Sequence, residues 1–225
     1  MWAFVASFGG GLVDGDAIAL DVDVGARASL FLGTQASTKA YRAARGTSQA
    51  LRAAVGDDAL FASVPDPVAC FAGARHEQRA AIDLAPRASL VFVDAMTSGR
   101  AARGERWELA RYASRTTITR GAPLAIDATL LDPAHGDLRA RMGRFDALVT
   151  IVATGPRVRA LRDALLAAPS LPDRTAPMIL AASPIEDGVV ARLASDDVGR
   201  ATTKLRALLA PIAGVLGDDP FARKW

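Results

Sequence analysis

The chain carries a single cysteine, Cys70, among 225 residues. No intramolecular disulfide can form, which points to a reducing compartment and an expected place in the cytoplasm. Histidine is almost as scarce, with only His76 and His135, so the chain cannot furnish a tetrahedral zinc site without carboxylates. The simplest reading of Cys70 is a small buried hydrophobe, and that of the two histidines is a surface position beside charged neighbours. Charge of one sign is lacking too: 27 basic and 24 acidic residues leave a formal +3, and no run of like charge occurs. That excludes a nucleic-acid binder as the first reading. No apolar stretch reaches the length that spans a bilayer. The opening MWAFVASFGGG has no basic residue before its short apolar run, so it does not read as a secretory leader. A G-x-S-x-G nucleophile elbow is absent as well, and two histidines in polar surroundings make a Ser-His-Asp triad a poor fit.

What is present is a globular composition, 51% hydrophobic and 23% charged, cut into many short strands. Ala17 to Val24 alternates, with Ile18, Leu20, Val22 and Val24 on one face and Asp21 and Asp23 on the other. Further strands are expected over 28–32, 39–42, 48–55, 59–64, 76–84, 108–120, 123–131 and 146–153. Pro65-Asp66-Pro67 interrupts the pattern. The stretch 88–96 is apolar on both faces and is placed centrally, with Asp94 on the face of Leu90 and Phe92. Helices come late: one opens at Pro156, and one follows Ser195 as cap, with Pro211 kinking it and Gly217 stopping it. A hairpin crosses Ile185-Glu186-Asp187 between them, and no internal repeat is evident. The expected fold is mostly β, a many-stranded β-sandwich or helical β-superstructure, with two α-helices in the C-terminal third.

The densest cluster of special residues is Gly9-Gly10-Gly11-Leu12-Val13-Asp14-Gly15-Asp16. A phosphate cradle would need a helix after the glycines, but a strand follows, and Asp14 repels phosphate. A calcium loop fails at Ile18. The stretch reads as a tight corner, with Asp14 and Asp16 able to admit a cation. Thr34, Gln35, Ser37, Thr38 and Lys39 form a polar turn that satisfies backbone groups at a sheet corner. Asp94 sits in the most apolar context of any carboxylate, so it must be paired, protonated or bound to a cation. Arg100, Arg103 and Arg106 offer an ion pair nearby in sequence. The functional alternatives are a transient stop for a cation at Asp94 and Glu105, or a hydrolytic pair made of the same two carboxylates. A metal-independent β-rich interaction domain is the plainest reading. At the other end, Phe221, Arg223, Lys224 and Trp225 put two aromatics and two cations on a terminal segment suited to anchoring a partner.

Five separated segments, GGGLVDGD (9–16), TQASTKAYR (34–42), PDP with FAGAR (65–75), TSGRAARGERW (97–107) and LGDDPFARKW (216–225), resemble the urease accessory protein UreD, called UreH in some systems, in the right order along the whole chain. The resemblance implies one UreD-like domain over 1–225, with fewer N-terminal strands than the family usually has, and no catalysis of its own. It implies binding to apo-urease, recruitment of UreF and through it the GTPase UreG, and a homodimer within the accessory complex. No cofactor would be held tightly; nickel would be in transit through an internal passage, with Asp14, Asp16, Asp94 and Glu105 as the candidate contacts.

Overall fold

The computed structural model describes residues 1–168, 173 and 175–222. The first eleven strands are β1 (Trp2–Val5), β2 (Ala17–Val24), β3 (Ser29–Thr34), β4 (Lys39–Ala40), β5 (Thr47–Val55), β6 (Leu60–Val64), β7 (Val68–Cys70), β8 (Arg75–Leu84), β9 (Ser89–Thr97), β10 (Arg111–Arg120) and β11 (Ala122–Leu131). A short helix α1 (Leu138–Met142), β12 (Ala147–Thr154), α2 (Arg159–Leu166), the hairpin β13 (Met178–Ile185) and β14 (Gly188–Ser195), α3 (Val198–Leu209) and α4 (Ile212–Leu216) complete the order. The mostly-β class with helices in the C-terminal part is as expected. The described residues hold four α-helices rather than two, because Pro211 divides the last one and Leu138–Met142 forms a turn of its own. Asp197, not Ser195, caps α3, accepting from the Arg200 amide at 2.6 Å. Ser195 instead accepts from the Asp197 amide.

The chain crosses between two sheets on each pass. Strands β1, β3, β6 and β9 run parallel in one sheet, which β12, β14 and β13 extend in antiparallel fashion. Strands β2, β5, β8 and β10 run parallel in the other, closed by the β10–β11 hairpin. The result is a coil of strands, one rung per pass. At one end the coil turns through three equivalent five-residue corners: Val24-Gly25-Ala26-Arg27-Ala28, Val55-Gly56-Asp57-Asp58-Ala59 and Leu84-Ala85-Pro86-Arg87-Ala88. Each closes with the same bond, Ala28 to Gly25, Ala59 to Gly56 and Ala88 to Ala85, at 3.0–3.1 Å. The second and third also stack on the one before, through Gly56 N to Val24 O (2.7 Å) and Ala85 N to Val55 O (2.9 Å). A Cβ on Gly56 would lie 2.7 Å from the Ala26 nitrogen, so the stacking demands glycine there. A structural repeat is therefore present where none was expected.

Residues two apart on a strand share a face, so register fixes what fills the space between the sheets. Away from the tight corners, the layers of the five-stranded sheet run Val55/Leu84, Ala53/Ile82/Ile118, Leu51/Ala80/Thr116, Gln49/Gln78/Ser114 and Thr47/His76/Tyr112. The interior passes from apolar to polar. The apolar half is sealed by Phe61, Leu90 and Phe92 from the facing sheet. The other face of the nine-stranded sheet is covered by α2, α3 and α4 through Leu161, Leu165, Leu205, Leu209 and Ile212. That explains why 88–96 reads as apolar on both faces: β9 has a core on each side.

Candidate functional site

The end opposite the tight corners is built from long loops, and four of the five distinctive segments stack there. Leu12 bridges to Ala40, its amide bonding Lys39 O at 2.7 Å. Strand β4 pairs with β7, and the Ala72 amide reaches Glu105 Oε1 at 2.6 Å. Gly11 has φ +145°, and a Cβ there would lie 2.4 Å from Lys39 O; only glycine allows the first loop to press on the second. The Tyr41 hydroxyl donates to Gly10 O at 3.1 Å and its ring meets Phe71 edge-on at 5.3 Å. Thr34 Oγ1 donates to Asp66 Oδ2 (2.9 Å) and accepts from the Asp66 amide (2.8 Å). Within the polar turn at 34–39, Thr34 is thus the side chain that satisfies a backbone group, the Asp66 amide.

Two hollows meet beneath these loops. A surface groove is lined by the glycine loop from Gly9 to Gly11 and by Thr34, Gln35, Ser37, Thr38 and Lys39. A cavity of about 130 Å³ lies between the sheets, walled by Thr34, Ser63, Asp66, Gln78, Asp94 and Ser114 among others. That volume suits about four waters. The two hollows share Val5, Ile18, Thr34, Thr38 and Gln49 as lining, so the same side chains wall the outer groove and the inner cavity.

Asp94 is surrounded by protein, yet it keeps accessible surface because it faces this cavity. Gln78 Nε2 donates to its Oδ1 at 2.6 Å and Ser114 Oγ to its Oδ2 at 2.7 Å. The Tyr112 hydroxyl acts on the same carboxyl. Burial pushes the carboxyl above the ordinary carboxylate range, and the hydrogen bonds from Ser114 and Gln78 oppose the rise. The expected ion pair is not formed. Arg100 turns to Glu105, Arg106 to Asp146 at 2.6 Å, and Arg103 is exposed. Neutral donors hold Asp94 instead, and no basic side chain pairs with it among the described residues.

The other carboxylates are occupied elsewhere. Asp14 caps the turn at Arg45 and Gly46, accepting from their amides at 2.8 and 3.0 Å. The Gly46 amide is the main cause that holds it below the usual range. Asp16 accepts from the Val13 amide. Neither lines the groove or the cavity. Glu105 is 9% exposed; burial pushes its carboxyl up, but Arg100 and the Ala72 amide together bring it below the usual range. It does not line Asp94's cavity, so the two acids cannot work as a hydrolytic pair. Gly15 (φ +91°) packs against the Arg45 side chain. Phe221 was expected on an exposed end; its ring packs edge-on against Phe31 at 5.9 Å, within the helix-covered core. Arg223, Lys224 and Trp225 lie outside the described residues.

Sequence reasoning misplaced one residue of this end. His76 was expected at the surface and is 2% exposed, one layer from Gln78 and Ser114 and stacked on Tyr112 at 6.2 Å between ring centres. Its charged neighbours Arg75 and Glu77 suggested solvent, but alternation puts His76 on the inward face with Gln78, Ala80 and Ile82. Among the described residues no three of His, Cys, Asp and Glu gather around one point, and no helix is long and apolar enough to cross a membrane.

The family model described as UreD urease accessory protein matches residues 1–225. A protein of Sorangium cellulosum named urease accessory protein UreD is 54% identical over 226 residues, spanning 100% of this chain and 72% of the relative. One of the same name from Anaeromyxobacter sp. is 46% identical over 230 residues, covering 99% and 76%. Urease accessory protein D of Arabidopsis thaliana is 30% identical over 253 residues, covering 99% and 86%.

Proposed function

Because the chain belongs to the UreD urease accessory protein family, with a role in urease maturation, we propose that it works without catalysis as a scaffold that binds apo-urease and passes nickel to it, acting with UreF and, through UreF, the GTPase UreG. The observation that carries this reading is the groove under the glycine loop sharing its walls with the cavity that Asp94 faces. A cation entering there meets hydroxyl and amide oxygens from Thr34, Thr38 and Gln49, and then the carboxyls of Asp66 and Asp94. Two carboxyls among neutral oxygens, one of them already bonded to Thr34, hold a borderline cation weakly, which suits transfer better than storage. Asp14, Asp16 and Glu105 serve the same function indirectly, by holding the loops that frame the groove.

The test is Asp94→Ala, scored both for capture of apo-urease with UreF in a pull-down and for nickel-dependent urease activation. The expected outcome is unchanged capture with reduced activation. Equal loss of both would make Asp94 structural, and unchanged activation would remove it from the route. Capture without any nickel effect on assembly or activation, in the unaltered protein, would favour a metal-independent interaction domain.

A further inference from the structure

His76 is the second polar group sealed inside the looped end. Its Nδ1 lies 2.9 Å from Thr47 Oγ1, and that hydroxyl directs its only proton to Arg75 O at 3.2 Å. Thr47 therefore accepts from the ring, and Nδ1 carries the imidazole proton. Nε2 is left as a bare lone pair, buried and without a partner among the described residues. An unmet acceptor in a closed interior is costly and calls for a guest. Nε2 is also the ring atom farther from the backbone, on the face of β8 that looks across the space between the sheets.

The surroundings point the same way. His76 stands one layer from Gln78 and Ser114, the donors on Asp94, and its ring lies against Tyr112, which also acts on Asp94. Ser98, just beyond β9, has a second buried hydroxyl with no partner among the described residues. Continuing the β7–β9 register, in which Ala69 faces Thr97, sets Ser98 beside Cys70. Burial pushes the Cys70 thiol up to about 12, so sulfur stays protonated and the available donors are nitrogen and oxygen. Neutral imidazole suits nickel, zinc and copper, whereas magnesium and calcium favour oxygen.

We infer that His76 Nε2, which lies one layer from the Gln78 and Ser114 that hold Asp94 and outside the lining of both hollows, is a station for a divalent cation, and that it is the residue that selects a borderline cation over a hard one. The inference rests on the proposed passage. Asp94 supplies charge to any cation, and His76 adds the nitrogen that only a borderline cation rewards. Thr47 is a positioning residue, because its hydroxyl fixes the tautomer that leaves Nε2 open.

With two histidines in the chain, His135→Gln leaves one imidazole to observe. The full-length His135→Gln protein, labelled with ¹⁵N-histidine, is titrated with nickel chloride and separately with magnesium chloride. Without metal, the ring nitrogens are expected to report the Nδ1–H tautomer. Nickel broadens the His76 signals and magnesium leaves them in place. Adding Thr47→Val is expected to weaken the nickel effect about tenfold, and His76→Gln, whose fold is checked by its amide spectrum, to abolish selective nickel binding measured by calorimetry. An Nε2–H tautomer, or His76 signals indifferent to nickel or equally moved by magnesium, overturns the inference. If Asp94→Ala lowers activation while His76 ignores nickel, the passage stands and this inference falls. If nickel still broadens His76 while Asp94→Ala leaves activation intact, the station stands and the route through Asp94 falls.

Discussion

The burial of His76 has a consequence for acid stability that can be worked out in numbers. Burial lowers its pKa from 6.5 to about 4, with Glu77 opposing slightly. The unfolded chain therefore binds a proton that the folded one refuses, and stability rises with pH between those two values. The contribution is in place above the unfolded pKa of 6.5 and is lost as pH falls toward about 4. A shift of this size corresponds to about 3 kcal/mol at full protonation of the unfolded state. At about pH 5 the loss relative to neutrality is roughly 2 kcal/mol. Carboxylates titrate over part of the same range, so one protein alone cannot isolate the term. The comparison is with His76→Phe, which keeps a ring against Tyr112 and leaves the Thr47 hydroxyl bonded to Arg75 O. Urea unfolding at pH 7 and pH 5 should show the unaltered protein losing about 2 kcal/mol more than His76→Phe across that interval. Parallel losses in the two proteins would mean that His76 titrates as a solvated histidine and that the account of the polar interior is wrong.

Two further outcomes follow from the coil. Arg120 joins the sheets, bonding Asp187 at 2.8 Å, Thr154 at 3.1 Å and Ala88 O at 3.3 Å; Arg120→Met should cost roughly 1–3 kcal/mol in thermal unfolding, and a smaller loss would show that Thr154 alone holds Asp187. Gly56→Ala forces a methyl onto the Ala26 backbone and should cost roughly 1–3 kcal/mol, whereas Gly9→Ala, with nothing within 4 Å of the added carbon, should stay within about 0.5 kcal/mol; equal melting temperatures for the two would refute the stacked corner.

Much of this architecture was legible in local pattern. Alternation marked β2 and its inner face, Pro65 and Pro67 separated β6 from β7, Gly121 turned the β10–β11 hairpin, and parity set Asp94 with Leu90 and Phe92. Alternation reports a face and not a neighbour, so the coil entered only as one of two expected architectures, and its parallel register was out of reach. Its signal is present in hindsight: Val-Gly, Val-Gly and Leu-Ala each stand three residues before an alanine at the three corners. Only superposing those segments reveals the period. The carboxylate candidates were harder. Sequence proximity joined Asp94 to Arg100 and Arg106, but β9 runs on past Asp94 before the arginine loop begins, and the arginines find Glu105 and Asp146 closer at hand. Asp14 and Asp16 looked like ligands because short carboxylates beside glycine serve turns and cations equally well.

The gradient of the interior also constrains traffic. Beyond Asp94 the space between the sheets is filled by Phe92, Leu90, Phe61, Ile82 and Ile118, closed by the corners whose Ala59 and Ala88 have no exposed surface. The hollow is a cul-de-sac toward the tight corners. Water or an ion taken in from the looped end finds no way out past those corners, so it can reach an acceptor only through the looped end or along the edge strands β1 and β2, whose Val5, Ile18 and Leu20 line the same hollow.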